Sequence, residues 1–110
     1  MRGDLAVLLG RLVDLLAQPR FPRLMAAVVD LAERDSTLGR LHADLTGRQR
    51  EPALEVLRRG QERGEVHPEA DLEILIDLLT APFFYRRFIA HRPIPCTMVH
   101  SVIAQALPPR

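Results

Sequence analysis

The residues best suited to bind a cation are His67, Glu69 and Asp71, where an imidazole and two carboxylates stand close together in the chain. Nitrogen and carboxylate donors of this kind build metal sites in proteins. The same stretch is also typical of a helix start, because Pro68 suits the first helical position and acidic side chains favour the positive end of the helix dipole. The remaining histidines have no ligand spacing among themselves. We therefore interpret the cluster as the beginning of a helix and predict no metal site.

A second candidate for chemistry is Cys96, the single cysteine of the chain. One cysteine excludes an intramolecular disulfide and a zinc site built from cysteines. It lies near an expected helix start, a position that can make a thiol reactive, but an incidental buried thiol is the simpler interpretation. The chain also lacks a glycine-rich phosphate loop and the signatures GxSxG, HExxH and EF-hand. The sequence therefore predicts no enzyme and no cofactor.

The composition of the 110 residues is typical of one globular domain, with 47% apolar and 26% charged residues. The formal net charge is +1, so the chain has no basic excess that would favour nucleic acid or an anionic membrane. No apolar run is as long as a bilayer span, and we predict no membrane partner. Together with the single cysteine, these features predict a cytoplasmic protein of one domain, residues 1–110.

Apolar residues at helical spacing predict an all-α fold with five helices. Prolines and glycines divide the helices, while Asp, Ser and Thr supply cap candidates. The predicted helices run from the N-cap Asp4 to Pro19, from Pro22 to the cap region Asp35–Thr37, from there to Gly64, from Pro68 to about residue 91, and from about Thr97 to Leu107.

Glycine and proline also predict local features inside these helices. Gly47 and Pro52 predict a kink or partial unwinding of the third helix, and Pro82 predicts a bend in the fourth. Gly64 suits the C′ position just after the third helix, where a left-handed backbone conformation is common.

The fourth helix is apolar on nearly every side. Leucine or isoleucine occupies positions 72, 74, 75, 76, 78 and 79, and Glu73 and Asp77 supply almost the only polar face. A helix of this kind has to be covered on nearly every side. In a chain of this length we expect a second copy of the protein to supply part of that cover.

Most of the aromatic residues follow in the same helix, as the run Phe83–Tyr85 and Phe88. They either form the wall of a ligand pocket or fill the core beside Pro82, and a helical bundle allows both. Met25, with Val28 on the same helix, would extend the lining if the second helix faces the same cavity. The candidate pocket residues are therefore Met25, Val28, Phe84 and Phe88. Such an apolar lining would suit a small lipophilic effector.

Three stretches together resemble the C-terminal regulatory domain of TetR-like transcriptional repressors. The first is LRRGQERGEV over residues 57–66, a helix end followed by a Gly-Glu turn. The second is PEADLE over residues 68–73, which opens the next helix. The third is DLLTAPFFYR over residues 77–86, where a small residue precedes the proline. The order of five helices extends the resemblance over nearly the whole chain.

The resemblance implies a group of helices around an effector pocket, within residues 4–63. It also implies that the helices 68–91 and 96–107 pair with their copies in a four-helix interface of a homodimer. On these two helices, the residues expected at the interface are Leu72, Leu75, Ile76, Leu79, Val99, Val102 and Ile103.

Repressors of this kind bind operator DNA through an N-terminal helix-turn-helix domain, which these 110 residues do not contain. The resemblance therefore implies contact with DNA only through that missing domain. A stand-alone helical interaction module without ligand is the alternative, and an enzyme is the least favoured class because no catalytic constellation is visible.

Overall fold

A computed structural model describes residues 1–109 of the chain. This part consists of five α-helices, one π-helix and connecting loops, and it contains no strand. The helices are α1 (Arg2–Ala17), α2 (Arg20–Arg34), α3 (Ser36–Glu62), α4 (Leu72–Phe84), the π-helix (Tyr85–Ala90) and α5 (Met98–Ala106). The predicted all-α class with five helices is confirmed.

Of the two helix N-caps predicted for α1 and α3, one is present in the structure and the other is not. Asp35 caps α3, since its carboxylate accepts hydrogen bonds from the backbone N–H groups of Thr37 at 2.9 Å and Leu38 at 3.3 Å. Of the three cap candidates at positions 35–37, Asp35 is therefore the cap. In α1 the helix begins at Arg2, so the prediction of Asp4 as N-cap is wrong. Asp4 lies in the first turn, where its charge still favours the positive end of the dipole.

The end of α3 has the geometry of a Schellman motif. Gly64 adopts a left-handed conformation with φ of 82°. The N–H of Glu65 donates to the carbonyl of Gly60 at 2.8 Å, and the N–H of Gly64 donates to that of Gln61 at 3.2 Å. These two bonds satisfy carbonyls that a helix end leaves free. The prediction for Gly64 is confirmed.

Helix α3 runs without interruption through Gly47 and Pro52, so the predicted unwinding there is wrong. A proline inside a helix removes one backbone hydrogen bond, and the bonds on either side maintain the helix.

Helix α4 begins later than predicted, at Leu72 rather than at Pro68. Asp71 explains the difference, because its carboxylate accepts from the N–H groups of Glu73 at 3.0 Å and Ile74 at 3.2 Å. An aspartate is a strong N-cap, and here it outweighs the preference of proline for a first helical turn. The residues before it form a loop that Gln61 holds through its side-chain amide.

The C-terminal part of the predicted fourth helix is a π-helix rather than an α-helix. The change occurs within three residues of Pro82, which lacks the N–H for a regular bond and disturbs the ladder around it. His91 ends the segment in a left-handed conformation with φ of 52°. The helix thus ends at Ala90, before the prolines at 93 and 95.

The hydrophobic core lies around α1, which contacts α2, α3, α4 and α5. Phe83 is fully buried in it, together with leucines from α1, α3 and α4. Helices α2 and α3 also pack closely, and Gly39 allows their approach: a Cβ atom at Gly39 would lie 3.0 Å from the carbonyl oxygen of Ala32. We call residues 20–50 the α2–α3 hairpin.

Candidate functional site

An open groove of about 760 Å³ runs along α4 and the π-helix. Its lining is mostly apolar and includes three charged side chains. The lining residues are Ile74, Asp77, Leu78, Ala81, Pro82, Tyr85, Arg86, Ala90, Arg92 and Met98.

Large apolar side chains on this side of the helix are exposed to solvent. Ile74, Leu78, Tyr85 and Ile89 are each between 56% and 66% exposed. With Ala81, which is also exposed, they form what we call the α4 stripe. Its steps of four and three residues within α4 are the spacing of α-helices that pack side by side, and Tyr85 and Ile89 continue the stripe on the π-helix.

Arg50 of α3 reaches across to α4 at the edge of the groove. Its Nη1 donates to the carboxylate of Asp77 at 2.6 Å, and its Nη2 donates to the backbone carbonyl of Glu73 at 2.7 Å. The same Nη2 lies 3.1 Å from the carboxylate of Glu73. The Arg50 side chain is 23% exposed, whereas both acids are mostly exposed. This cluster ties the α2–α3 hairpin to the helix that carries the stripe.

The π-helix holds its aromatic and basic residues in a defined arrangement. The rings of Phe84 and Phe88 stack with centroids 6.4 Å apart and an interplanar angle of 10°. The guanidinium of Arg87 lies over the ring of Phe88, 5.6 Å from its centroid. Arg86 Nη1 donates to the carbonyl of Pro93 at 3.3 Å, a long bond that leaves the guanidinium able to take another acceptor.

The four predicted pocket residues separate into two pairs. Phe84 and Phe88 stack on each other and pack against the core. Met25 and Val28 are half-buried on α2 and do not belong to that core cluster. Neither pair lines the groove along α4 or a second, smaller groove beside Arg2. The prediction that all four enclose one pocket stays a prediction.

In the candidate cation cluster, His67 and Asp71 accept hydrogen bonds from backbone N–H groups. Nδ1 of His67 accepts from the N–H of Glu69 at 3.1 Å, and Asp71 caps α4. Within residues 1–109 no group of three or more His, Cys, Asp or Glu side chains is arranged to hold a metal ion. Cys96 is exposed, so the interpretation as a buried thiol is wrong. The loop between the π-helix and α5 leaves the thiol uncovered.

A family model described as tetracyclin repressor-like, C-terminal domain, matches residues 1–106. The chain belongs to this family. The match covers every helix of this repressor-like domain, from α1 to α5. Domains of the family belong to regulatory proteins rather than enzymes, and dimerisation and effector binding are general properties of the family. No curated protein and no solved structure gives a significant match.

Most of the residues predicted at the dimer interface of the repressor-like domain are already buried within a single chain. Leu75, Ile76, Leu79, Val99 and Ile103 are all buried in the core, and Leu72 and Val102 are half-buried. Their role at an interface stays a prediction. The exposed apolar residues of α4 and the π-helix are those of the α4 stripe, and none of them is among the predicted interface residues.

The stripe was not predicted at the interface because all six apolar residues at positions 72–79 are leucine or isoleucine. Helical spacing alone allows two sets to face inward: one is Leu72, Leu75, Ile76 and Leu79, and the other is Ile74 and Leu78. Residue type does not separate the two sets further along the chain either, since Phe83 extends the buried set while Tyr85 and Ile89 extend the stripe.

None of the helices in residues 1–109 has the length and apolar character needed to cross a membrane.

Proposed function

We propose that this chain is the effector-sensing and homodimerisation domain of a cytoplasmic TetR-like transcriptional repressor. The family supports the regulatory role. Contact with operator DNA would belong to a helix-turn-helix domain outside these 110 residues. A bound effector would favour one geometry of the dimer and so change the affinity for the operator.

The observation that carries the homodimer is the α4 stripe. Four large apolar side chains stand in a row beside a groove, each more than half exposed in the single chain. A contiguous apolar patch on a protein surface is typical of an interaction site. The stripe lies on the helix that the family resemblance implies at the dimer interface, so a second copy is the occupant we propose.

The substitution Leu78→Arg tests this proposal. It would place a charge in the middle of the interface, once from each copy, and an unpaired buried charge is strongly unfavourable. We expect the dissociation constant of the dimer to rise by at least about 100-fold, measured by light scattering over a dilution series.

The matched control is Leu41→Arg, because Leu41 is exposed to a similar degree on α3 and does not line the groove. It should leave the dimer intact. If Leu78→Arg remains as dimeric as Leu41→Arg, the stripe is not the interface.

For the effector, we propose a small lipophilic compound bound by the α2–α3 hairpin. Met25 and Val28 are half-buried there, and leucines of the same hairpin are largely exposed. These leucines are Leu24, Leu31, Leu38, Leu41 and Leu45. Apolar surface with few polar groups favours apolar ligands.

The fluorescent probe anilinonaphthalene sulfonate tests the effector site. Its binding should saturate at one site per chain, and Val28→Asp should weaken it at least about tenfold because a carboxylate resists burial beside an apolar ligand. Leu15→Asp, at an exposed position on α1, should leave it unchanged.

The stand-alone interaction module without ligand remains a second candidate. It is favoured by one observation, that the predicted pocket residues line neither of the two open grooves. Probe binding that does not saturate and does not respond to Val28→Asp would support this module and contradict the effector site.

A further inference from the structure

We propose that the second copy packs antiparallel, so that α4 and the π-helix cross their copies at Ala81–Pro82 and Arg86 of each chain meets Asp77 of the other. This inference rests on the homodimer proposed above and specifies its register.

The α4 stripe is self-complementary about Ala81–Pro82. Leu78 stands three positions before this pair and Tyr85 three positions after it. Ile74 and Ile89 stand seven positions before and after it. In an antiparallel pair on a twofold axis, a position before the centre meets the position equally far beyond it in the second copy. Each large apolar residue would thus meet another large apolar residue.

Two charged residues of the groove, Asp77 and Arg86, obey the same symmetry. Asp77 stands four positions before Ala81, and Arg86 stands four positions after Pro82. Antiparallel packing therefore pairs an acid with a base twice. Parallel packing would place Asp77 against Asp77 and Arg86 against Arg86, and like charges in contact oppose association. The charges thus favour the antiparallel arrangement.

The side chains at the centre allow the two helices to approach. Ala81 has a small side chain, and Pro82 beside it is half-buried in the groove lining. The distance between packed helix axes depends on the side chains at their contact, and small residues there bring the helices together. The larger side chains on either side then fill the space where the two helices diverge.

Arg50 extends the charge pair into a cluster of three groups. Its Nη1 already donates to Asp77 within one chain, and the Asp77 side chain is 61% exposed, which leaves room for a second guanidinium. In the dimer, Asp77 would lie between Arg50 of its own chain and Arg86 of the second copy. A displacement of α3 would move the carboxylate on which the second copy depends, and this links the α2–α3 hairpin to the interface.

Cross-linking through introduced cysteines tests the register on the complete chain, with Cys96→Ser as background because the native thiol is exposed. Ala81→Cys should form a disulfide between copies under mild oxidation, since position 81 lies beside the twofold axis. Ala43→Cys, at an exposed alanine on α3, is the control and should not. A mixture of Ile74→Cys and Ile89→Cys chains should give a mixed product with a short thiol cross-linker, in excess over either variant alone.

The outcomes separate the register from the dimer itself. Cross-linking of Ile74→Cys or Ile89→Cys chains alone, above the mixture, would overturn the antiparallel register while the dimer stands. A dimer in sedimentation without cross-linking at position 81 would place the interface on another face and overturn the register too. A monomer in sedimentation would overturn the homodimer and the register together.

The charge pair has a separate test in Arg86→Glu. This variant brings two acids together at both ends of the crossing, so the dissociation constant should rise at least about tenfold at low salt and less at high salt. Arg40→Glu, an exposed position on α3, changes the net charge equally and should shift the constant less than about twofold. Equal shifts for the two variants, with folded chains by circular dichroism, would overturn the Asp77–Arg86 contact.

Discussion

Arg50 is the side chain with the most polar contacts between helices near the groove, to Asp77 and to two groups of Glu73. Exposed ion pairs contribute about 0.2–1 kcal/mol, because water screens them and two long side chains lose freedom. Arg50 differs from such a pair since it is mostly buried and one of its acceptors is a fixed backbone carbonyl. Its Nε is buried without a hydrogen-bond partner in the described part of the chain, and this cost offsets part of the contribution. We nevertheless expect Arg50 to contribute more to the free energy of unfolding than an exposed ion pair does.

The substitution Arg50→Met measures this effect. We expect the free energy of unfolding in urea to fall by about 1–2 kcal/mol, because hydrogen bonds to charged groups are lost while the aliphatic packing is kept. The control is Arg58→Met on the exposed face of α3, where Arg58 contacts Glu51 and Glu55 at 3.6 and 3.5 Å. It should change stability by less than about 0.5 kcal/mol. If Arg50→Met and Arg58→Met lower the free energy of unfolding equally at one protein concentration, Arg50 contributes no more than a residue of a surface ion pair.

Single residues were predictable from the sequence where the signal is local. The cap Asp35 and the C′ residue Gly64 are recognised from their own neighbours along the chain. Arg50 gave no such signal, because its partner Asp77 lies 27 positions away and the two meet only through the packing of α3 on α4. The same limit applies to Met25 and Phe84, whose separation depends on where α2 lies in the fold.

At the scale of elements, the start of the third helix and the turn after it are the best determined by sequence, while the unwinding predicted inside this helix is wrong. The turn needs a left-handed residue at position 64, where φ is 82°. A residue with a Cβ atom loses about 1–2 kcal/mol in that conformation, whereas glycine adopts it freely.

A pair of glycine substitutions should therefore change stability in opposite directions. Gly64→Ala should lower the free energy of unfolding by about 1 kcal/mol or more, because alanine is strained at positive φ. Gly47→Ala should raise it by about 0.5–1 kcal/mol, since position 47 lies inside α3 and no atom lies within 4 Å of an added Cβ. Urea denaturation at one protein concentration measures both. A loss of stability in Gly47→Ala would contradict the uninterrupted α3.

Helix existence was predictable from periodicity, but the orientation of α4 was not. Leu75 and Leu79 face the core while Ile74 and Leu78 face solvent, although the residue types are interchangeable. The chain around Pro82 was predicted to bend, and from Tyr85 it continues as a π-helix. Tertiary packing decides such points, since a proline can be accommodated in several ways.

At the scale of the whole molecule, most of the exposed large apolar side chains lie in two places, apart from Val7 and Leu15 of α1. One is the α4 stripe, and the other is the row of leucines on the α2–α3 hairpin. Arg50 connects the two through Asp77. This division supports our assignment of the stripe to the second copy and of the hairpin to a lipophilic effector, with α3 as the element common to both.

The central claim is that two copies associate through the α4 stripe, and sedimentation equilibrium of the unmodified chain tests it most directly. Measured at micromolar concentrations beside Leu78→Arg, the unmodified chain should have twice the mass of one chain, and the variant should have the mass of one. An unmodified chain that sediments as a single copy at these concentrations, or a Leu78→Arg variant that stays dimeric, would contradict the account.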